Sequence, residues 1–137
     1  NTLKRLSNFW GPFLYLAYAT QFTGLIVILF GLKQYNLGLF SGLSQLRNSE
    51  IADDDENLHI TGLHRYLRHP LYLGAYLYLI GGATSEFGLY TAFWGCLYLA
   101  IGTWFEERSL IVQFGAAYRD YQARVPSIIP YKGRAID

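Results

Sequence analysis

The chain is 137 residues long, 52% apolar and 18% aromatic, with only 15% charged residues, a balance outside that of an ordinary water-soluble domain. A net charge of +1, with no Lys/Arg block interleaved with aromatics, speaks against a nucleic-acid surface. The single cysteine, Cys96, excludes an intramolecular disulfide and a thiolate metal cluster.

The apolar residues come in blocks, so lipid is expected to bury them in place of a self-made core. The first block, residues 8–32, reads "NFWGPFLYLAYATQFTGLIVILFGL" and has the length of one spanning helix. Gly11 and Pro12 near its start are compatible with a helix N-terminus, and Trp10 and Tyr15 are suited to an interface. Residues 33–58 lose the continuous apolarity and end in the acidic run "ADDDEN", which predicts a solvated loop. A second block from Leu71 to Thr84 is short for a span, and a third from Phe87 to Phe105 is of ordinary length. The "GGATSEFG" between them predicts a tight turn, so residues 59–130 read as a helical hairpin followed by a tail.

Lys33, Arg47, Arg65 and Arg68 flank one side of the first two blocks, and Arg108, Arg119, Arg124, Lys132 and Arg134 follow the third, while the turn carries none. This distribution predicts that the 33–58 loop and the C-terminal tail face the cytoplasm, and the location expected is a bacterial inner membrane. Lys4 and Arg5 fall on the opposite side and run against it. The fold class expected is all-α: a polytopic membrane helix bundle, one membrane domain over residues 1–137, with a C-terminal hairpin and a cytoplasmic cofactor-binding tail. A chain that starts at Asn1 and holds no Met reads as a fragment lacking upstream helices.

Two charged strings stand out. "YLRHPLYLG" places Arg68 and His69 at the entrance of an apolar block, and "WFEERSL" places Glu106 and Glu107 at the exit of the next. A tight hairpin brings its open ends together, so the carboxylates should meet Arg65, Arg68 and His69 in a polar pocket at the membrane surface. Beyond Glu107, Leu110, Ile111, Phe114 and Tyr118 keep helical spacing, Gly115 offers a break, and Pro126 and Pro130 end the element. His59, His64 and His69 recur every fifth residue, about 140° apart on a helix, so no metal site is expected. No G-x-G-x-x-G follows a strand, and no dinucleotide site is supported.

The ordered pair "TGLHRYLRHPLYLG" and "EERSLIVQFGAAYRDYQARVPSIIP" resembles the C-terminal half of the integral-membrane methyltransferases. That superfamily includes isoprenylcysteine carboxyl methyltransferase, phospholipid methyltransferases and methanethiol S-methyltransferase. The resemblance covers Gly24 to Pro130, and the upstream "ILFGLKQYNLGLFSGLSQLR" is similar to the methanethiol branch. It implies that S-adenosylmethionine is the cofactor, bound by Gly62, Tyr66, Arg68, His69, Pro70, Tyr72, Gly74, Glu106 and Glu107. Arg68 and Arg124 are implied to lie at the reacting centre. Position 64 is His, where the family more commonly has Tyr.

The function this implies is a methyltransferase acting on a small thiol or another membrane-accessible acceptor. An isoprenylcysteine carboxyl or lipid methyltransferase is the alternative within the superfamily. From a different class, a non-catalytic subunit of a larger membrane complex could retain the same scaffold. The partners expected are the lipid bilayer and a small-molecule or lipidic methyl acceptor.

Overall fold

The computed structural model describes residues 2–34, 60 and 62–133. Its regular elements are helical: α1 (Thr2–Gln34), a 3-10 turn (Gly62–Arg65), α2 (Pro70–Gly81), α3 (Glu86–Phe114) and α4 (Ala116–Arg124). Almost all of the expected 33–58 loop, with His59 and Arg134, lies outside the described residues.

Helix α1 extends past the apolar block at both ends, so Pro12 lies inside it and not in its first turn. Proline removes one backbone donor there, a loss that membrane helices tolerate. The stretch Gly11–Lys33 is the one described span long and apolar enough to cross a membrane. Helix α3 has the length, but Tyr, Trp and Gly residues dilute its apolar run. Helix α2, at 12 residues, is about 18 Å long and too short to span alone.

Glycines set how α1 and α2 meet. A Cβ at Gly24 would lie 2.5 Å from the backbone N of Tyr78, one at Gly74 2.9 Å from that of Ile28, and one at Gly81 2.4 Å from that of Gln21. The two backbones therefore touch, as small residues allow between membrane helices. Helix α2 then turns through residues 82–85 into α3, whose N-cap Ser85 accepts a hydrogen bond from the Gly88 N–H at 3.0 Å. Gly115, at φ 59°, breaks α3 from α4 as its position suggested.

Burial is inverted relative to a soluble protein. Phe13, Tyr15, Phe22, Phe30, Phe87, Phe93, Trp94 and Tyr98 are all exposed, and lipid is the medium that would cover such a surface. The compact core lies instead beyond the apolar helices, where Tyr118, Tyr121 and Val125 pack with Ile60, Leu110, Ile111 and Phe114. That core holds α4 against the end of α3 and positions the tail.

Candidate functional site

The site begins with Pro70 at the first position of α2, a place where its missing N–H costs nothing. Proline also keeps the residue before it out of helical geometry, and His69 accordingly sits at φ −130° and ψ 65°. Arg68 and His69 thus have backbone donors that no helix uses. They give them to the tail: Arg68 N–H to the Pro126 carbonyl at 2.9 Å and His69 N–H to the Ser127 carbonyl at 3.0 Å. Arg68 Nε adds a bond to the Val125 carbonyl at 3.0 Å.

Across the hairpin, Glu107 gathers three partners. Arg68 Nη1 pairs with its Oε1, His69 Nε2 donates to the same oxygen at 2.9 Å, and Gln122 Nε2 donates to Oε2 at 3.3 Å. His69 is 3% exposed, so its ring fixes the carboxylate from the buried side. Glu106, one residue back and about 100° around the helix, faces the next part of α2. There the Tyr72 hydroxyl donates to its Oε2 at 2.7 Å. His69 and Tyr72, three apart on one face of α2, meet edge to face at 5.3 Å.

The tyrosines of α4 lie beneath this cluster. Tyr121 donates to the His64 carbonyl at 2.6 Å and ties the 3-10 turn to α4. The Tyr118 phenol is pushed up to about 12 by burial, with the Glu107 carboxylate adding to the rise and Arg68 opposing it. Such a tyrosine stays neutral at physiological pH.

Arg68, His69, Tyr72, Glu106 and Glu107 therefore come together, with Pro70 buried behind them. The other candidates take different positions. Gly74 packs its backbone on α1, and Gly62 opens the 3-10 turn at φ 57°. Tyr66 lines an apolar cleft of about 450 Å³ with Ile26, Phe30, Leu63, Pro70 and Pro130. Arg124 is exposed and pairs with Asp120 at 3.2 Å, one helical turn back on α4, and is not in the carboxylate cluster. Arg65 is not a partner of Glu107 either, and its Nε is buried without a hydrogen bond. The sequence reading missed Gln122, Tyr118 and the Val125–Ser127 carbonyls. Backbone carbonyls leave no mark in a residue string; Gln122, four residues after Tyr118, could have been found by helical phase.

A cavity of about 470 Å³ adjoins the cluster, lined by Arg68, Gln122, Ser127, Tyr131 and Lys132 among others. Among the described residues no group of His, Cys, Asp and Glu could hold a metal ion. A guanidinium, an ammonium and neutral polar groups line this cavity, with Glu107 bonded to two of its lining residues, Arg68 and Gln122, a set that suits a zwitterionic organic ligand.

No family model and no solved structure matches the chain. It is 35% identical over 103 residues to methanethiol S-methyltransferase 2 of Bradyrhizobium diazoefficiens, covering 74% of the chain and 36% of that protein. It is 30% identical over 130 residues to methanethiol S-methyltransferase of Mycobacterium tuberculosis, covering 91% and 49%. With human protein-S-isoprenylcysteine O-methyltransferase the identity is 29% over 142 residues, covering 96% and 49%. The chain spans less than half the length of each of these relatives. Its curated homologues are thus methanethiol S-methyltransferases and protein-S-isoprenylcysteine O-methyltransferases, and the chain belongs with them in the isoprenylcysteine-methyltransferase-like family of membrane methyltransferases.

Proposed function

We propose that the protein is an S-adenosylmethionine-dependent membrane methyltransferase whose acceptor is a small thiol. The observation that carries this reading is the joining of two strings 39 residues apart, Arg68 with Glu107, beside the Tyr72–Glu106 bond. A helix merely leaving a membrane has no need of a carboxylate held from three directions.

The residues fit the donor. Among the described residues Glu106 bonds Tyr72 alone, which leaves an oxygen to accept from an ammonium or a ribose hydroxyl. Arg68 and Gln122 line the adjoining cavity while holding Glu107. S-adenosylmethionine, when bound, supplies a methyl on a cationic sulfur that an acceptor lone pair displaces, with the bonding pair returning to the donor sulfur. A thiol acceptor would react as its thiolate, its proton having passed to solvent, so opposite charges cancel in the displacement and the protein's task is alignment and exclusion of bulk water, with no general acid required. The buried His69–Glu107–Arg68 unit provides the rigidity for alignment.

The thiol acceptor follows the names of the relatives with 30–35% identity, and the bilayer side offers an apolar route past Tyr66 and Phe30. The Lys and Arg distribution supports a tail in the cytoplasm, and the bacterial sources of the thiol-methylating relatives suit a bacterial inner membrane. A polytopic bundle, with α3 as a second span after α1, accounts for the aromatic exposure of both helices.

Titration of the detergent-solubilised protein with S-adenosylmethionine, followed by methyl transfer to methanethiol beside a farnesylated cysteine analogue, tests the reading. Cofactor binding with production of the methyl sulfide is expected. Transfer to the prenyl acceptor alone would move the protein to the alternative branch. A folded protein that binds no cofactor at millimolar concentration would be a non-catalytic scaffold.

A further inference from the structure

We propose that Lys132, in the tail after Pro130, is the carboxylate-binding residue of the donor site. This deepens the methyl-donor reading and rests on it. The cavity beside the cluster is lined by two cations, Arg68 and Lys132, by Gln122 and Ser127, and by no carboxylate. Its charge therefore favours an anionic group of the ligand.

The two cations are not equivalent. Arg68 is committed, with Nη1 on Glu107 and Nε on the Val125 carbonyl, and its charge is neutralised at contact. Lys132 has no carboxylate partner among the described residues. Its ammonium makes one hydrogen bond of 3.3 Å to the Ala123 carbonyl at the end of α4 and lies 5.8 Å from the Tyr131 ring. An ammonium has three donors, so two remain for a ligand. The Ala123 contact restrains the flexible lysine near the cavity and so reduces the entropy cost of using it.

S-adenosylmethionine ends in an α-amino acid, a carboxylate next to an ammonium. Recognising that zwitterion takes one acceptor and one cation, and charge-assisted hydrogen bonds to each are the strong ones. Gln122 lines the same cavity and offers its amide oxygen as the acceptor, its nitrogen being bonded to Glu107. Lys132 supplies the cation. Of the two basic residues of α4, Arg124 is paired with Asp120 and neither it nor Arg119 lines the cavity, which leaves the role to Lys132.

The test uses the full chain in detergent and two probes: S-adenosylhomocysteine, and its decarboxylated analogue, which keeps the adenosine and the amine. The wild type should bind the intact probe about three- to tenfold more tightly than the decarboxylated one, the range of a partly exposed charge pair. Lys132→Ala should erase that preference by weakening the intact probe alone, and Lys132→Arg should retain it. Equal binding of both probes by the wild type overturns the proposal, as does a Lys132→Ala variant that weakens both equally, the mark of a purely structural α4 cap. Wild type that binds neither probe overturns the methyl-donor reading, and this proposal with it. A preserved preference in Lys132→Ala overturns this proposal alone.

Discussion

Arg68 and Glu107, 39 residues apart, form an ion pair in which the guanidinium side chain is 13% exposed and the carboxylate 20%. It joins the start of α2 to the far end of α3, and the tail is bonded to both through Arg68 Nε and Gln122. Because the pair is largely desolvated, removing one member leaves a charge without its partner. Glu107→Gln and Arg68→Ala are each expected to lower stability by about 2–3 kcal/mol. Their double variant should fall well short of additivity. Denaturant or thermal unfolding in detergent measures both, and additive losses would show that the two side chains act independently.

Tyr72→Phe deletes the hydroxyl that bonds Glu106 and keeps the ring that meets His69. Donor affinity is expected to drop about tenfold or more, the scale of a bond to a charged group, with the unfolding midpoint nearly unchanged. Glu106→Gln should lose at least as much affinity. Calorimetric titration with S-adenosylhomocysteine reads both variants, and unaltered affinity in the pair would remove Glu106 from the donor site.

The Tyr118 phenol is held up to about 12, first by burial and then by Glu107, whereas an unfolded tyrosine titrates near about 10. The native state keeps its proton longer than the unfolded chain does. Its contribution is thus complete below about pH 10, declines as pH rises from there and is lost through about pH 12, amounting to on the order of 2–3 kcal/mol. Tyr118→Phe should flatten this part of the stability profile. Equal alkaline slopes for wild type and variant would contradict the assignment.

Gly81→Ala is expected to be costly, because the new Cβ would lie 2.4 Å from the Gln21 backbone nitrogen and 2.7 Å from the Ala17 carbonyl oxygen. Backbone cannot rotate away, so α1 and α2 must separate at a cost of about 1–3 kcal/mol. Gly11→Ala meets nothing within 4 Å and should be neutral or mildly stabilising. Comparing their unfolding midpoints checks whether close packing, and not glycine content, is responsible.

If α3 spans the bilayer, its two ends face opposite compartments. Ser85 caps its start and Ser109 lies past Glu107 near its end. In a Cys96→Ala background, a cysteine at position 109 should react with an impermeant reagent from the cytoplasmic side and one at position 85 from the other. Labelling of both from one side would sink the spanning hairpin.

Several features of this protein were readable from the chain alone. Block apolarity announced the long apolar helix α1, whose stretch Gly11–Lys33 is long and apolar enough to cross a membrane. Pro70 and Gly115 marked the start of α2 and the end of α3 through local backbone constraints, which need no tertiary partner. The meeting of Arg68 and His69 with Glu107 followed from the tight turn, since a short connection returns one helix end to the other. Other features depended on packing across the chain. Only the folded arrangement separates Glu107, held by three side chains, from Glu106, bonded to Tyr72, because adjacent residues point to different faces according to the rotation of α3. Only it turns Arg124 toward Asp120 and brings Lys132 and the Val125–Ser127 carbonyls to Arg68. These choices are made by the Tyr118, Tyr121 and Val125 core, whose long-range contacts set the angle of α4 and the path of the tail and leave no periodic trace in the sequence.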